Sequence, residues 1–219
     1  MSFYDAIRVG ASGAAGAYEI DRSLRFNDDD SAKLTRTFGT NSSNTIKTLS
    51  FWIKRGNIGS YQTLFGTTAS GFIEGRLEFT NLDQLQYADR DAGSGVSDSI
   101  KTTSRVFRDV SAWYHIVFAI NTTDSTADDR IKIYVNGTRE TSFSTSINPS
   151  SSYAVSFFRS SVDNFIGANN TSSYFDGYLT EINFIDGSAL TPASFGETDA
   201  ETGQWNPKKY AGSYGTNGF

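Results

Sequence analysis

From Ser23 onward, apolar side chains recur at every second position in short runs, and nowhere do they recur with the ~3.6-residue period of an amphipathic helix. TLSFWIKR (48–55) sets Phe51 and Ile53 against Trp52 and Lys54, and IKIYVNG (131–137) sets Ile131, Ile133 and Val135 against Lys132 and Tyr134. Successive Cβ atoms of a strand point to opposite faces, so such a run gives one face to a core and the other to its surroundings. SLRF (23–26), QTLFG (62–66), GRLEF (75–79), QLQYA (84–88), SIKTTSRVF (99–107), YAVSFF (153–158), NFIGA (164–168) and FDGYLTEINFIDG (175–187) continue the series, separated by Gly, Asn, Asp and Ser. Short strands at this spacing predict an all-β sandwich. No repeat with a period of roughly 20–50 residues is visible, which excludes a propeller or solenoid.

WYHIVFAIN (113–121) departs from the alternation: Trp113, His115, Val117 and Ala119 on one face and Tyr114, Ile116, Phe118 and Ile120 on the other are both largely apolar. Such a strand is covered on both sides, or covered on one and lining a concave surface on the other. It is expected to pair antiparallel with 131–135, and Asn136-Gly137 then signals a tight hairpin. His115, the single histidine, is read as a structural residue, since no nucleophile motif or second histidine accompanies it.

The 219 residues suit one large domain, bounded by an expected flexible arm over 1–20 and an irregular tail over 191–219. The apolar fraction is a modest 37%, but 17 Phe and 11 Tyr can fill a sandwich core. A net charge of −5 without a basic stripe argues against nucleic acid and against an anionic membrane surface. The absence of cysteine removes disulfides, thiolate nucleophiles and cysteine-bound zinc together. No apolar run reaches the ~18 residues of a membrane span, and the first 20 residues do not read as a secretory leader. Phe3, Tyr4 and Ile7 in the arm, and Trp205 and Tyr214 in the tail, are candidate contacts to a partner. TPASFGE (191–197) predicts a brief helical turn, with Thr191 as cap and Pro192 in its first position.

Trp113 and His115 before an apolar strand, then IKIYVNG, then FDGYLTEINFIDG, resemble the laminin-G-like, or concanavalin A-like, lectin/glucanase superfamily over roughly 21–190. The resemblance implies a jelly-roll β-sandwich of two antiparallel sheets. SLRFNDDDSAKLTRTFG, SFWIKRG, AWYHIVFAINTT and the C-terminal run from INFIDGSALTPASFGE to the end look like laminin-G-type domains of tailed bacteriophage structural proteins, marine and cyanobacterial phages especially. That likeness implies a non-enzymatic virion protein assembled in the host cytoplasm. It would be displayed in many copies, or as a homo-oligomer, on the tail fibre or capsid surface. The arm or tail would attach it to a major capsid or tail protein, and host-surface glycans would be its target. A glycan-binding lectin-like module and a capsid decoration protein without a ligand are the alternatives.

No catalytic residue is assigned. Retaining glycosidases of this superfamily carry paired carboxylates as E-x-D-x-x-E on one strand face, a pattern this chain lacks. Glu74, Glu78, Glu181 and Asp186 are expected on solvated strand edges. No cofactor is firmly implied. Calcium is the candidate, with Asp28, Asp30, Asp124, Asp128 and Asp176 as oxygen donors from loops. For a sugar, Trp52, Tyr61, Tyr87 and Tyr174 are candidate platforms, with the amides of Asn169 and Asn170 beside them.

Overall fold

The structure is a computed structural model that describes residues 18–40, 43–69, 72–90 and 98–219. Its strands are β1 (Leu24–Phe26), β2 (Leu34–Thr37), β3 (Ile46–Arg55), β4 (Gln62–Ala69), β5 (Phe72–Phe79), β6 (Gln84–Asp89), β7 (Ser99–Val106) and β8 (Tyr114–Asn121). They continue with β9 (Ile131–Val135), β10 (Thr138–Arg139), β11 (Phe143–Ile147), β12 (Asp163–Ile166), β13 (Gly177–Asp186), β14 (Gly196–Thr198) and β15 (Trp205–Pro207). A six-stranded sheet runs β1-β13-β3-β8-β9-β10 and a seven-stranded sheet β11-β7-β6-β5-β4-β12-β2; β14 and β15 form a separate hairpin. All pairings are antiparallel, as the alternation predicts. No helix among the described residues is long and apolar enough to cross a membrane.

The inward residues follow from the two-residue period. Phe51 and Ile53 of β3, Ile116, Phe118 and Ile120 of β8, and Ile131, Ile133 and Val135 of β9 face Phe65, Leu77, Phe79, Leu85 and Tyr87 of the opposite sheet. Rings bridge the layers: Phe51 meets Phe65 at 4.8 Å and Tyr87 meets Phe118 at 4.6 Å between centroids. β8 and β9 pair with Ile120 opposite Ile131, and the two-residue Asn136-Gly137 loop has φ of +47° and +80°. Both central residues with positive φ are what a hairpin of this twist requires.

YAVSFF (153–158) is not a strand, although Phe157 and Phe158 are buried as expected. Its backbone finds side-chain partners instead of a ladder. Asp89 accepts the Ser156 and Phe157 N–H groups at 3.0 and 2.9 Å and the Tyr153 hydroxyl at 3.0 Å. Thr67 Oγ1 accepts the Phe158 N–H at 2.8 Å, and the Lys47 ammonium donates to the Phe157 and Phe158 carbonyls at 3.0 and 2.8 Å. Buried backbone groups must be paired, and here two buried charges pair them. Burial pushes the Asp89 carboxyl up to about 6 and pulls the Lys47 ammonium down to about 8.

This irregular segment needs a notch in β5. Gly75 lies opposite Asp89 across the β5–β6 pair, and a Cβ on Gly75 would sit 2.6 Å from Phe157 Cα. Because the obstacle is backbone, Gly75→Ala must displace the plug. The substitution is expected to cost about 1–3 kcal/mol, the range for overpacking a core. Urea unfolding of the two proteins measures it, and equal midpoints would contradict the notch.

Candidate functional site

The outer face of the six-stranded sheet carries the site. Trp52 on β3 lies opposite His115 on β8 and opposite Thr180 on β13. A bulge at Glu181, whose φ is +48°, adds one residue to β13, so that Asn183 pairs with Ser50. Further along this face, Val117, Ile185 and Phe195 form a second small core, covered by Tyr134, Leu190, Tyr210 and Tyr214. Most of that cover comes from residues 190–214. The tail expected to be irregular therefore folds back on its own sheet, with a 3₁₀ turn at Pro192–Ser194 and the β14–β15 hairpin. Pro192 starts that turn as expected, while Thr191 makes no side-chain cap. The final residue pairs with β13 through Phe184 N–H to the Phe219 carbonyl (2.9 Å) and Phe219 N–H to the Phe184 carbonyl (3.1 Å).

The hairpin brings Trp205 to the edge of His115. The indole Nε1–H donates to His115 Nδ1 at 2.9 Å, and His115 Nε2 lies 2.9 Å from Ser50 Oγ. An indole nitrogen only donates, so Nδ1 is the unprotonated nitrogen and Nε2–H donates to Ser50. The three rings form a ladder with one face contact and one edge contact: Trp52 stacks on His115 at 4.9 Å and 26°, and Trp205 meets the edge of His115 with centroids 5.9 Å apart and 23° between the planes. Two glycines make room, since a Cβ on Gly137 or Gly196 would approach the Trp205 ring to 2.6 or 2.5 Å. Gly137 thus serves both the hairpin turn and the docking of the indole.

Beside this ladder opens a cleft of about 340 Å³. The three tryptophans of the chain, Trp52, Trp113 and Trp205, all line it. Trp113 stands on the rim with 38% of its surface exposed. Asp21, Arg22, Ser23, Gln204 and Asn206 supply polar groups of both hydrogen-bonding senses. The 20–23 segment is fixed by Thr180, whose hydroxyl donates to the Arg22 carbonyl at 2.6 Å, while the Tyr18 hydroxyl donates to Glu181 at 2.7 Å. Flat aromatic surface beside mixed polar groups suits a neutral, hydroxyl-rich ligand with one apolar face.

Of the platforms expected from sequence, Trp52 reaches the cleft but is largely buried and stacks on His115. Tyr87 is a core residue packed on Phe118 and Phe157, so it cannot be a platform. The strand period placed it inward. Tyr61 is exposed ahead of β4 and Tyr174 half-buried ahead of β13, and neither lines the cleft. Asn169 is buried and bonded to the Ser172 hydroxyl at 2.9 Å, and the Asn170 carbonyl accepts from Lys33. Trp205 and Tyr214, expected to meet a partner, are turned inward, the latter with its hydroxyl on Asn183 Oδ1 at 3.0 Å. The apolar outer face of β8 claims them. Phe3, Tyr4 and Ile7 lie outside the described residues.

The acidic candidates are dispersed. Asp28 accepts from Asn57, Asp30 from Asn27, and Asp124 from the Thr126 N–H. Asp128 takes the Asn148 amide at 2.7 Å, and Asp176 pairs with Arg25 at 2.5 Å. Among the described residues, no group of three or more His, Cys, Asp or Glu side chains is placed to hold a metal ion. Glu74 and Glu78, expected to be solvated, are buried against Arg159 (2.9 Å) and Arg76 (2.7 Å); Asp186 is also buried, beside Asn217. Sequence reasoning missed Trp113, Arg22, Gln204 and Asn206 as cleft residues. The one available signal was that tryptophan occurs only three times.

Two antiparallel sheets closed over an aromatic core, with the chain's end folded across one outer face, define a jelly-roll sandwich. The chain belongs to the concanavalin A-like lectin/glucanases superfamily, whose laminin-G profile matches residues 26–194. No curated protein sequence matches it. Among solved structures it is similar to a heptameric SAP-like pentraxin from Limulus polyphemus, with 14% identity and a TM-score of 0.50 over 80% of this chain and 75% of that one. It is similar also to a Bacteroides ovatus ATCC 8483 protein named for carbohydrate binding, at 14% identity and a TM-score of 0.53, over 78% of this chain but 44% of that one. The NanB sialidase of Streptococcus pneumoniae, in its K499G form, gives 17% identity and a TM-score of 0.50 over 82% of this chain and 29% of the enzyme. Likeness at these identities establishes the shared fold.

Burial pulls the His115 imidazole from its ordinary 6.5 down to about 4. In the unfolded chain it titrates at the ordinary value, so between these pH values the unfolded state binds more protons and stability rises with pH. The contribution is present above pH 6.5 and lost as pH falls toward 4. His115→Gln lacks this titration. From pH 6.5 to 4 the parent protein is therefore expected to lose on the order of 3 kcal/mol more than the variant. Denaturant midpoints measured across that window test it, and parallel profiles would contradict a buried neutral histidine.

Proposed function

We propose that this domain is a non-catalytic carbohydrate-binding module and that the tryptophan cleft is its sugar site. The observation that carries the reading is the convergence of Trp52, Trp113 and Trp205 from three distant parts of the chain on one open cleft. An indole covers the C–H face of a pyranose, while the hydroxyls around the ring edge need donors and acceptors, which Asp21, Arg22, Gln204 and Asn206 offer. Membership of a superfamily shared by lectins and carbohydrate-active enzymes supports the ligand class. Binding without hydrolysis is supported by the carboxyl inventory. Glycosidases of the common kind flank the scissile bond with two carboxyls, and Asp21 is the one acid among the residues lining the cleft.

Display on a bacteriophage particle, on the tail fibre or the capsid surface, is part of the same proposal. Its support is the sequence likeness of the 23–39 and C-terminal stretches to phage structural domains. A particle presenting many copies turns weak contacts with host-surface glycans into firm adhesion.

A glycan array probed with and without a calcium chelator tests the reading. At least one glycan is expected to bind, and Trp113→Ala, at an exposed rim position, is expected to weaken it by about tenfold with little loss of stability. Binding unaffected by Trp113→Ala would move the site elsewhere. No binding at all would leave a decoration protein without a ligand.

A further inference from the structure

The ladder Trp52–His115–Trp205 fastens the cleft as well as lining it. Residues 197–207 satisfy their hydrogen bonds within the hairpin or with the adjoining tail, through the Asp199 turn and its partners Glu201, Thr202 and Gln204. Among the described residues, the bond from Trp205 Nε1 to His115 Nδ1 is the only one that ties this hairpin to the sheet. The same hairpin supplies one wall of the cleft through Gln204, Trp205, Asn206 and Pro207. The lone pair of His115, together with the seat of the indole on Gly137, therefore sets the position of that wall.

We propose that His115 is a positioning residue of the cleft: its unprotonated Nδ1 holds Trp205 and the β14–β15 hairpin in place, and a proton on that nitrogen releases them. An imidazolium donates from both nitrogens, so a protonated Nδ1 would direct N–H against the indole N–H. An imidazolium lying on the Trp52 indole face gains cation–π attraction. Desolvation outweighs that gain, which is why burial holds the ring neutral down to a pKa of about 4. The groups bonded to or stacked on the ring are Ser50 and Trp52 on β3 and Trp205, while Asn136 in the β9–β10 turn accepts the His115 backbone N–H and Gly137 packs on Trp205. None is charged. Lys54, two positions from Trp52 on the same face of β3, and Asp21 and Arg22 on the cleft rim make no bond to the ring. Acid release of a bound sugar is the consequence, and that consequence rests on the sugar-site reading; the latch does not.

Exchange of the Trp205 indole proton, followed by ¹⁵N NMR on the ligand-free full chain, tests the latch. At pH 7 the proton should be protected, and protection should fall with the same midpoint as the His115 ring. His115→Phe keeps a flat ring without an acceptor, and should speed exchange at pH 7 by about five- to tenfold, the effect of one lost hydrogen bond. His115→Gln offers an amide oxygen and should restore protection while removing the acid step. Full protection in His115→Phe, or an acid step persisting in His115→Gln, would overturn the proposal. If acid unfolds the domain first, the pH 7 comparison decides. If His115→Phe does not fold, Trp205→Phe removes the donor instead: amides of 197–207 must then exchange faster by a similar factor, and unchanged exchange overturns the latch. No sugar is present in these measurements, so failure of the latch leaves the binding reading standing, and an empty array leaves the latch standing.

Discussion

β8 is apolar on both faces, and the rest of the architecture answers to that. Ile116, Phe118 and Ile120 enter the main core between the sheets, while His115, Val117 and Ala119 would face water if the sandwich ended at its sheets. Fully burying one Val, Ile or Phe side chain contributes roughly 1.5–3 kcal/mol. Covering Val117 and Ile185 with Phe195 therefore gives the last 29 or so residues an energetic reason to lie across the sheet, although they contain little regular structure. The cleft is the place where this cover ends. Trp205 is the last ring of the cover and the wall of the cleft at once, which joins stability and site in one side chain.

The second constraint is the pairing of polar groups inside an aromatic core. Lys47, Arg55, Glu74, Glu78, Asp89 and Lys101 are all buried. Each has a defined task. Arg55 bonds Asp83 at 3.1 Å and the Phe107 carbonyl at 2.7 Å and lies 4.2 Å from the Phe79 ring centre, while Asp83 also receives the Gly59 N–H and Arg108. These residues hold loops against the sandwich ends. Lys47 and Asp89 hold the 156–158 plug. The buried charges are thus occupied in structure.

What the sequence made legible followed the two-residue period. The facing of Phe51 and Ile53 against Trp52, the β8–β9 pair and the Asn136-Gly137 turn are all local patterns, and the double-apolar character of β8 left cover on both sides as one of two alternatives, the one that the returning tail supplies. What remained hidden depended on contacts far apart in the chain. YAVSFF alternates like a strand, but Asp89, more than sixty residues earlier, captures its N–H groups. Tyr87 shares its strand face with Leu85, so the period marked it as core, and its reading as a platform set that aside. Trp52, Trp113 and Trp205 share a cleft only because of sheet register and the returning tail, so no spacing rule could join them. Gly137 was legible as a turn residue but not as the seat of an indole.

The central claim is that the C-terminal segment is the second cover of β8. The most direct measurement is a set of nuclear Overhauser contacts from the Val117 and Ile185 methyl groups. The structure predicts cross-peaks to the ring protons of Phe195, their partner in the second small core, and of Tyr210 or Tyr214, which pack against that core. Methyl groups without such contacts, together with tail resonances at random-coil positions, would contradict it and would leave the cleft without its wall.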